Sequence, residues 1–294
     1  MKRLALDLAA LTLLFSLSPA YGATTGATTG ATTTPTYDYL PQSEVATLTV
    51  GDKPSYALVR SWRGHFQYGA AILMADFDTH ADPTGVIGYL RRHINDRGWA
   101  SISLEAPSGA PIINHTTDAA EISKPGEKQL ELKADKALPK YSETQWKKVR
   151  EAQNNQLLQT MNQLDSLGQP YPGKRILIVA DRGAGLVISQ LNAGTLPKPD
   201  MLVIINPYLD HPDENQQLAK LLSELDIPVL DIQSPDGPAQ SLTTASERQT
   251  LSPLNQPLRY EQQRLALNLN QPNAWQNILV LIDGFARRIN KAYP

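Results

Sequence analysis

A chain of 294 residues, 41% hydrophobic and 19% charged, is long enough to bury a sizeable core in one large domain or two small ones. Its 27 basic and 29 acidic residues leave a formal charge of -2, so no basic field exists to recruit nucleic acid or an anionic membrane surface. Cysteine is absent, which removes disulfides, thiolate metal sites and cysteine nucleophiles together and leaves the core alone to hold the fold.

The chain opens with Lys2 and Arg3, an apolar run from Leu8 to Leu17, and small residues at Ala20, Gly22 and Ala23. This pattern predicts a secretory signal over residues 1–22, removed on export to the periplasm or the medium. The run is short for a bilayer and Asp7 sits at its edge, so no transmembrane span is expected after cleavage. "ATTGATTGATTTPT", residues 23–36, repeats small and hydroxylated residues with almost nothing to bury, and reads as a low-complexity tether.

From Tyr37 to the end, strand-like apolar runs alternate with amphipathic helical ones. Strands are expected at Tyr56 to Arg60, Ala70 to Ala75, Ala100 to Glu105, Arg175 to Ala180, Met201 to Asn206, Pro228 to Gln233 and Leu258 to Arg264. A helix is expected from Pro83, with Val86, Ile87, Leu90 and Ile94 on one face, to a stop at Gly98. A second runs from Glu143 to Gly168 with Trp146, Val149, Leu157, Leu158, Met161 and Leu164 inward. "NQQLAKLLSEL" and "AWQNILVLIDGFARRI" supply two more. The fold class is therefore α/β, a mostly parallel sheet with helices on both faces, in a single domain over residues 37–294. Residues 107–141 are polar, rich in proline and lysine and without either period, and read as an insertion or lid.

The stretch "ILIVADRGAGLVISQL" is a buried strand, a glycine-studded turn and a helix. With the element order around it, the chain resembles the α/β-hydrolase superfamily. Through "GAAILMADFDTHADPTGVIGYLRRHINDRGWASISLEAP", "KRILIVADRGAGLVISQL", "PVLDIQSPDGP" and "PLRYEQQRLAL" it is similar, more narrowly, to the secreted bacterial DUF3530 family. The superfamily places a serine at the strand-turn-helix bend, in G-x-S-x-G. Here an ungapped alignment puts Arg182 at that point, and an arginine stays protonated and cannot attack a carbonyl. Sliding by one residue puts Asp181 there, an arrangement similar to the carboxylate nucleophiles of haloalkane dehalogenases and epoxide hydrolases.

Both registers need an imidazole after the last strand, and none of His65, His80, His93, His115 and His211 lies there. Asp236 in "SPDGP" sits where the resemblance puts the acid. The loop "ADFDTHAD" would give one oxyanion N–H near Phe77, with Arg182 or Gly183 giving the other. Its Asp76, Asp78, His80 and Asp82 alternate in an extended segment, point to opposite sides and do not converge on a metal. "NPYLDHPDE" reads as a helix start at Pro212 and Asp213. "DRGAGL" lacks dinucleotide spacing, and neither cofactor nor metal is expected.

Three readings follow. The first is an exported envelope protein without the standard triad that binds a small molecule, glycan or envelope protein through Asp76, Phe77, Asp181, Arg182, Gly183 and Asp236. Arg182 there either captures an anion or fills the vacated site by pairing with Asp76, Asp181 or Asp236. The second is a hydrolase of esters, epoxides or halides with Asp181 as nucleophile, Asp236 as acid, and His80 or His211 activating water. The third is a scaffold whose 107–141 loop binds a protein partner.

Overall fold

In the computed structural model of the chain, residues 37–111, 141–255 and 257–294 are described. The expected signal, the tether and residues 112–140 of the insertion lie outside them. The described residues build β1 (Val45–Val50), β2 (Lys53–Arg60), β3 (Gly69–Met74), α1 (Val86–His93), β4 (Trp99–Leu104), α2 (Glu143–Met161) and α3 (Leu164–Gly168). There follow β5 (Lys174–Ala180), α4 (Asp181–Asn192), β6 (Met201–Ile205), α5 (Pro212–Ser223), β7 (Val229–Gln233), α6 (Ala239–Leu251), β8 (Tyr260–Arg264) and α7 (Pro272–Ala292).

The eight strands form one sheet in the order β1-β2-β4-β3-β5-β6-β7-β8. β2 runs antiparallel to both neighbours, and every pairing from β4 through β3 to β8 is parallel. The described residues thus form a single α/β domain with a mostly parallel sheet. Parallel sheets need both faces covered, because crossover helices lie on each. β5 shows the consequence: Leu177 and Val179 pack into one core cluster, with α2, α4 and α5, while Ile176, Ile178 and Ala180 pack into the other, with α1 and α7. Each fully buried Leu or Ile in these layers contributes about 1.5–3 kcal/mol.

The structure departs from the expected elements in three places. β1 precedes the first expected strand and forms a hairpin with β2, turned by Gly51 at φ 62° and Asp52. α6 was not expected. The long second helix ends at Met161 and resumes at Leu164, and Trp146 and Val149, expected inward, are only half-buried. No helix among the described residues is long and apolar enough to cross a membrane.

Candidate functional site

The bend after β5 is held by one residue. Asp181 carries φ 53°, whereas Ala180 before it is extended at φ -123°. Among the described residues the non-glycine positions with positive φ are Asp78, Asp181 and Asn206. Each follows the carboxyl end of a parallel strand, β3, β5 or β6, where open α/β sheets bind ligands. Such backbone costs about 1–3 kcal/mol per residue and gathers at functional crevices. Two glycines let α4 seat behind the bend. A Cβ on Gly183 would lie 2.7 Å from the Ala75 carbonyl oxygen, and one on Gly185 only 2.1 Å from that of Tyr208.

Arg182 follows, with its backbone N–H and one edge of its guanidinium turned to Asp76. Its backbone N–H donates to Asp76 Oδ1 at 3.2 Å, Nε donates to the same oxygen at 2.8 Å, and Nη2 donates to Oδ2 at 2.8 Å. The guanidinium lies 5.2 Å from the ring centroid of the buried Phe77 and its Nη1 is 3.7 Å from Asp210. Asp76 and Asp210 together hold Arg182 firmly charged, the hydrogen bonds to Asp76 contributing most. In this structure the Nε–Nη2 edge of Arg182 pairs with Asp76, one of the partners expected for it.

Asp181 is different. Among the described residues no hydrogen bond reaches its carboxylate, and its carboxyl is pushed up to about 7. Burial is the largest cause, the charge of Asp76 adds to it, Arg182 opposes it and Asp236 adds a little more. Burial likewise raises Asp210 and the Tyr208 phenol beside it, against the pull of Arg182.

The three carboxylates and the imidazole of "ADFDTHAD" go separate ways. Asp76 takes Arg182, Asp78 accepts the Gly109 N–H at 2.8 Å, and Asp82 accepts Arg92 at 2.7 Å and Tyr39 at 3.0 Å. His80 is exposed, its ring 6.4 Å from that of Tyr37. His211 faces the groove between α2 and α5, with Nε2 3.3 Å from Glu143 and its ring edge-on to Trp146. Neither histidine hydrogen-bonds to Asp181. Among the described residues no group of His, Asp and Glu is arranged to hold a metal.

Asp236 lies in the loop after β7, exposed, and both its oxygens are 3.0 Å from the backbone N–H of Leu269, in the loop after β8. Burial is the largest single influence and raises this carboxyl, but the Leu269 N–H, the Ser234 hydroxyl and the main-chain N–H groups of Asp236 and Asn270 together outweigh it, and the group is held low. Two participants escaped the sequence reading: Leu269, whose donor is a main-chain group, and Asp210, which resembled a helix-start residue. The first residues of the insertion border the crevice, since Pro107 accepts the Asp78 N–H at 3.0 Å and Ser108 is tied to Gln153 and Gln156 of α2.

A family model described as "Protein of unknown function (DUF3530)" matches residues 18–288. Among solved structures, the chain is similar to Est1E from Butyrivibrio proteoclasticus, at 7% identity and a TM-score of 0.55, covering 84% of this chain and 99% of that one. The esterase domain of a Rhodothermus marinus protein aligns at 10% identity and a TM-score of 0.54, over 83% and 97% of the two chains. A dienelactone hydrolase from Anabaena variabilis aligns at 13% and 0.52, over 83% and 96%. At these identities the likeness shows an α/β-hydrolase fold. No curated protein matches the sequence.

Proposed function

The chain belongs to the DUF3530 family, and from that premise we propose that it is an exported envelope protein of α/β-hydrolase fold that acts by binding rather than by bond cleavage. The observation that carries this reading is the position of Asp76. In acyl transfer on this fold, the N–H of the residue after the bend stabilises the developing oxyanion. Here that N–H, on Arg182, donates to the carboxylate of Asp76. An internal anion stands where a tetrahedral intermediate would place its charge. The acid position agrees: Asp236 accepts the Leu269 N–H and, among the described residues, orients no imidazole. The ligand class is a small molecule, glycan or envelope protein reached from the carboxyl ends of β3, β5 and β6, bordered by Asp76, Phe77, Asp181, Arg182, Gly183 and Asp236. Export rests on residues 1–22 and is tested by sequencing the N-terminus of the mature protein.

The decisive experiment is a panel of aryl esters, thioesters, epoxides and haloalkanes with the purified protein. No turnover above buffer is expected. Turnover abolished by Asp181→Ala overturns the reading.

One observation favours a second reading. Asp181 adopts the bend conformation that holds nucleophiles in this fold, at φ 53°. If it attacks, its carboxylate oxygen displaces a halide from carbon, or opens an epoxide whose alkoxide takes a proton from water, forming an ester that water then cleaves; with an ester substrate it displaces the alkoxide and forms a mixed anhydride, which water cleaves likewise. Mass spectrometry of protein quenched during turnover must then find the substrate fragment on Asp181.

A further inference from the structure

β8 alternates its side chains between two faces. Tyr260 and Gln262 turn toward α6, donating to Asp231 at 2.7 and 3.0 Å, while Glu261 turns the other way to accept Arg288 at 2.6 Å. The same alternation brings Arg264 to the α6 side, where Nη2 lies 3.4 Å from Ser246 Oγ and 3.3 Å from Gln249 Oε1. Both distances are long for N–H···O bonds, and both partners are neutral.

The other arginines among the described residues are engaged. All but one pair with a carboxylate within 4.0 Å, and the exception, Arg175, donates to the carbonyls of Gly168, Tyr171, Gly173 and Lys174. Among the described residues Arg264 has neither kind of partner. It lines a cavity of about 210 Å³ whose remaining wall includes Pro235, Leu242, Ala245, Ser246 and Leu265. Leu242 is 43% exposed there, a large apolar side chain beside an unpaired cation. Arg264 pairs in register with Gln233, so the cavity opens at the carboxyl ends of β7 and β8.

We propose that this cavity is a ligand site for a small monocarboxylate with an apolar tail, its carboxylate on the Arg264 fork and its tail over Leu242, Ala245 and Leu265. A planar guanidinium matches a carboxylate with two parallel bonds, and one cation balances one negative charge. A phosphate dianion would keep one charge without a partner. A cavity of roughly 150 Å³ takes a benzene ring, so this one holds a ring together with its carboxylate. The site shares no residue with the Asp76, Asp181 and Arg182 crevice, so ester turnover there would leave this proposal standing, and its failure would leave the binding reading of the crevice standing.

The test is an NMR titration of the isotope-labelled protein with sodium benzoate, and with benzamide as the uncharged counterpart. Benzoate should give saturable shifts at the Ala245 and Ser246 amides and at Arg264 Nε. Benzamide should give none. Arg264→Gln, an exposed change that leaves the core untouched, should weaken binding about tenfold or more, the loss expected on removing hydrogen bonds to a charged group. Arg259→Gln, which removes the ion pair with Glu261 on the same segment, should leave it unchanged. No saturable shift by about 20 mM benzoate, a response to benzamide equal to that of benzoate, or unchanged affinity in Arg264→Gln overturns the proposal.

Discussion

Replacing Asp181 by Asn should stabilise the protein at alkaline pH and do little in acid. Asn is close in shape and, like Asp, tolerates the left-handed backbone that this position demands, so the substitution isolates the charge. The sign follows from linkage. The Asp181 carboxyl is raised from 3.8 to about 7 in the folded chain, so between these values the native state holds a proton that the unfolded state has lost. Stability therefore falls as pH rises through that window and reaches its floor above pH 7. A shift of about three units at about 1.4 kcal/mol each sets an upper bound of about 4 kcal/mol. Asp181 keeps some access to solvent, and relaxation and screening reduce this to about 2 kcal/mol. For a domain of this size that is about 4–8 °C in Tm. Thermal unfolding of both proteins from pH 5 to pH 9 reads it: the gain of Asp181→Asn should grow with pH. A difference that does not change with pH, or a variant less stable than the parent at pH 9, would refute the electrostatic account of the crevice.

Asp76→Asn keeps one acceptor for Arg182 but removes the charge that adds to burial in raising Asp181. It should cost about 1–2 kcal/mol in thermal unfolding, the pair being partly exposed. It should also lower the carboxyl titration of Asp181 followed by carbon NMR; a titration that stays in place contradicts the coupling. Arg248→Met removes a wholly buried guanidinium that donates to Asp231 at 2.8 Å and to Gln233 at 2.9 Å. It leaves Asp231 buried with only the Tyr260 and Gln262 donors. The expected loss is about 3–5 kcal/mol by urea unfolding, and Asp231→Asn added to Arg248→Met should recover part of it.

The elements that the sequence conceals are those stabilised by something other than apolar burial. β3, β5 and β6 are legible because a strand covered on both faces becomes a nearly continuous apolar run, as in "ILIVA" and "MLVII". β1 is an edge strand with exposed threonines, and its signal was the Gly51-Asp52 turn rather than its own pattern. α6 lies over the polar side chains of β7. Its buried positions are Ser241, Thr244, Ala245 and Arg248, bonded through Arg248 to Asp231 and Gln233, so no hydrophobic period marks it. At the start of α2, Trp146 meets Tyr141 and His211 at 5.0 and 5.6 Å, which is why an apolar face there did not imply burial against the sheet.

The same distinction governs the candidate site. Asp181, Arg182 and Asp76 are visible in sequence because side chains identify them, whereas the partner of Asp236 is the N–H of Leu269, a group that almost every residue carries. On the proposed binding reading, that substitution of donors sets what the crevice does. An imidazole placed there would donate one hydrogen bond to the acid and keep a second nitrogen free to accept a proton. A peptide N–H gives the acid its hydrogen bond and offers no lone pair in return. Asp236 is therefore hydrogen-bonded without an imidazole, and among the described residues no imidazole hydrogen-bonds to Asp181. The arrangement can be retained for stability alone, and the fold can keep the shape of a hydrolase without its chemistry.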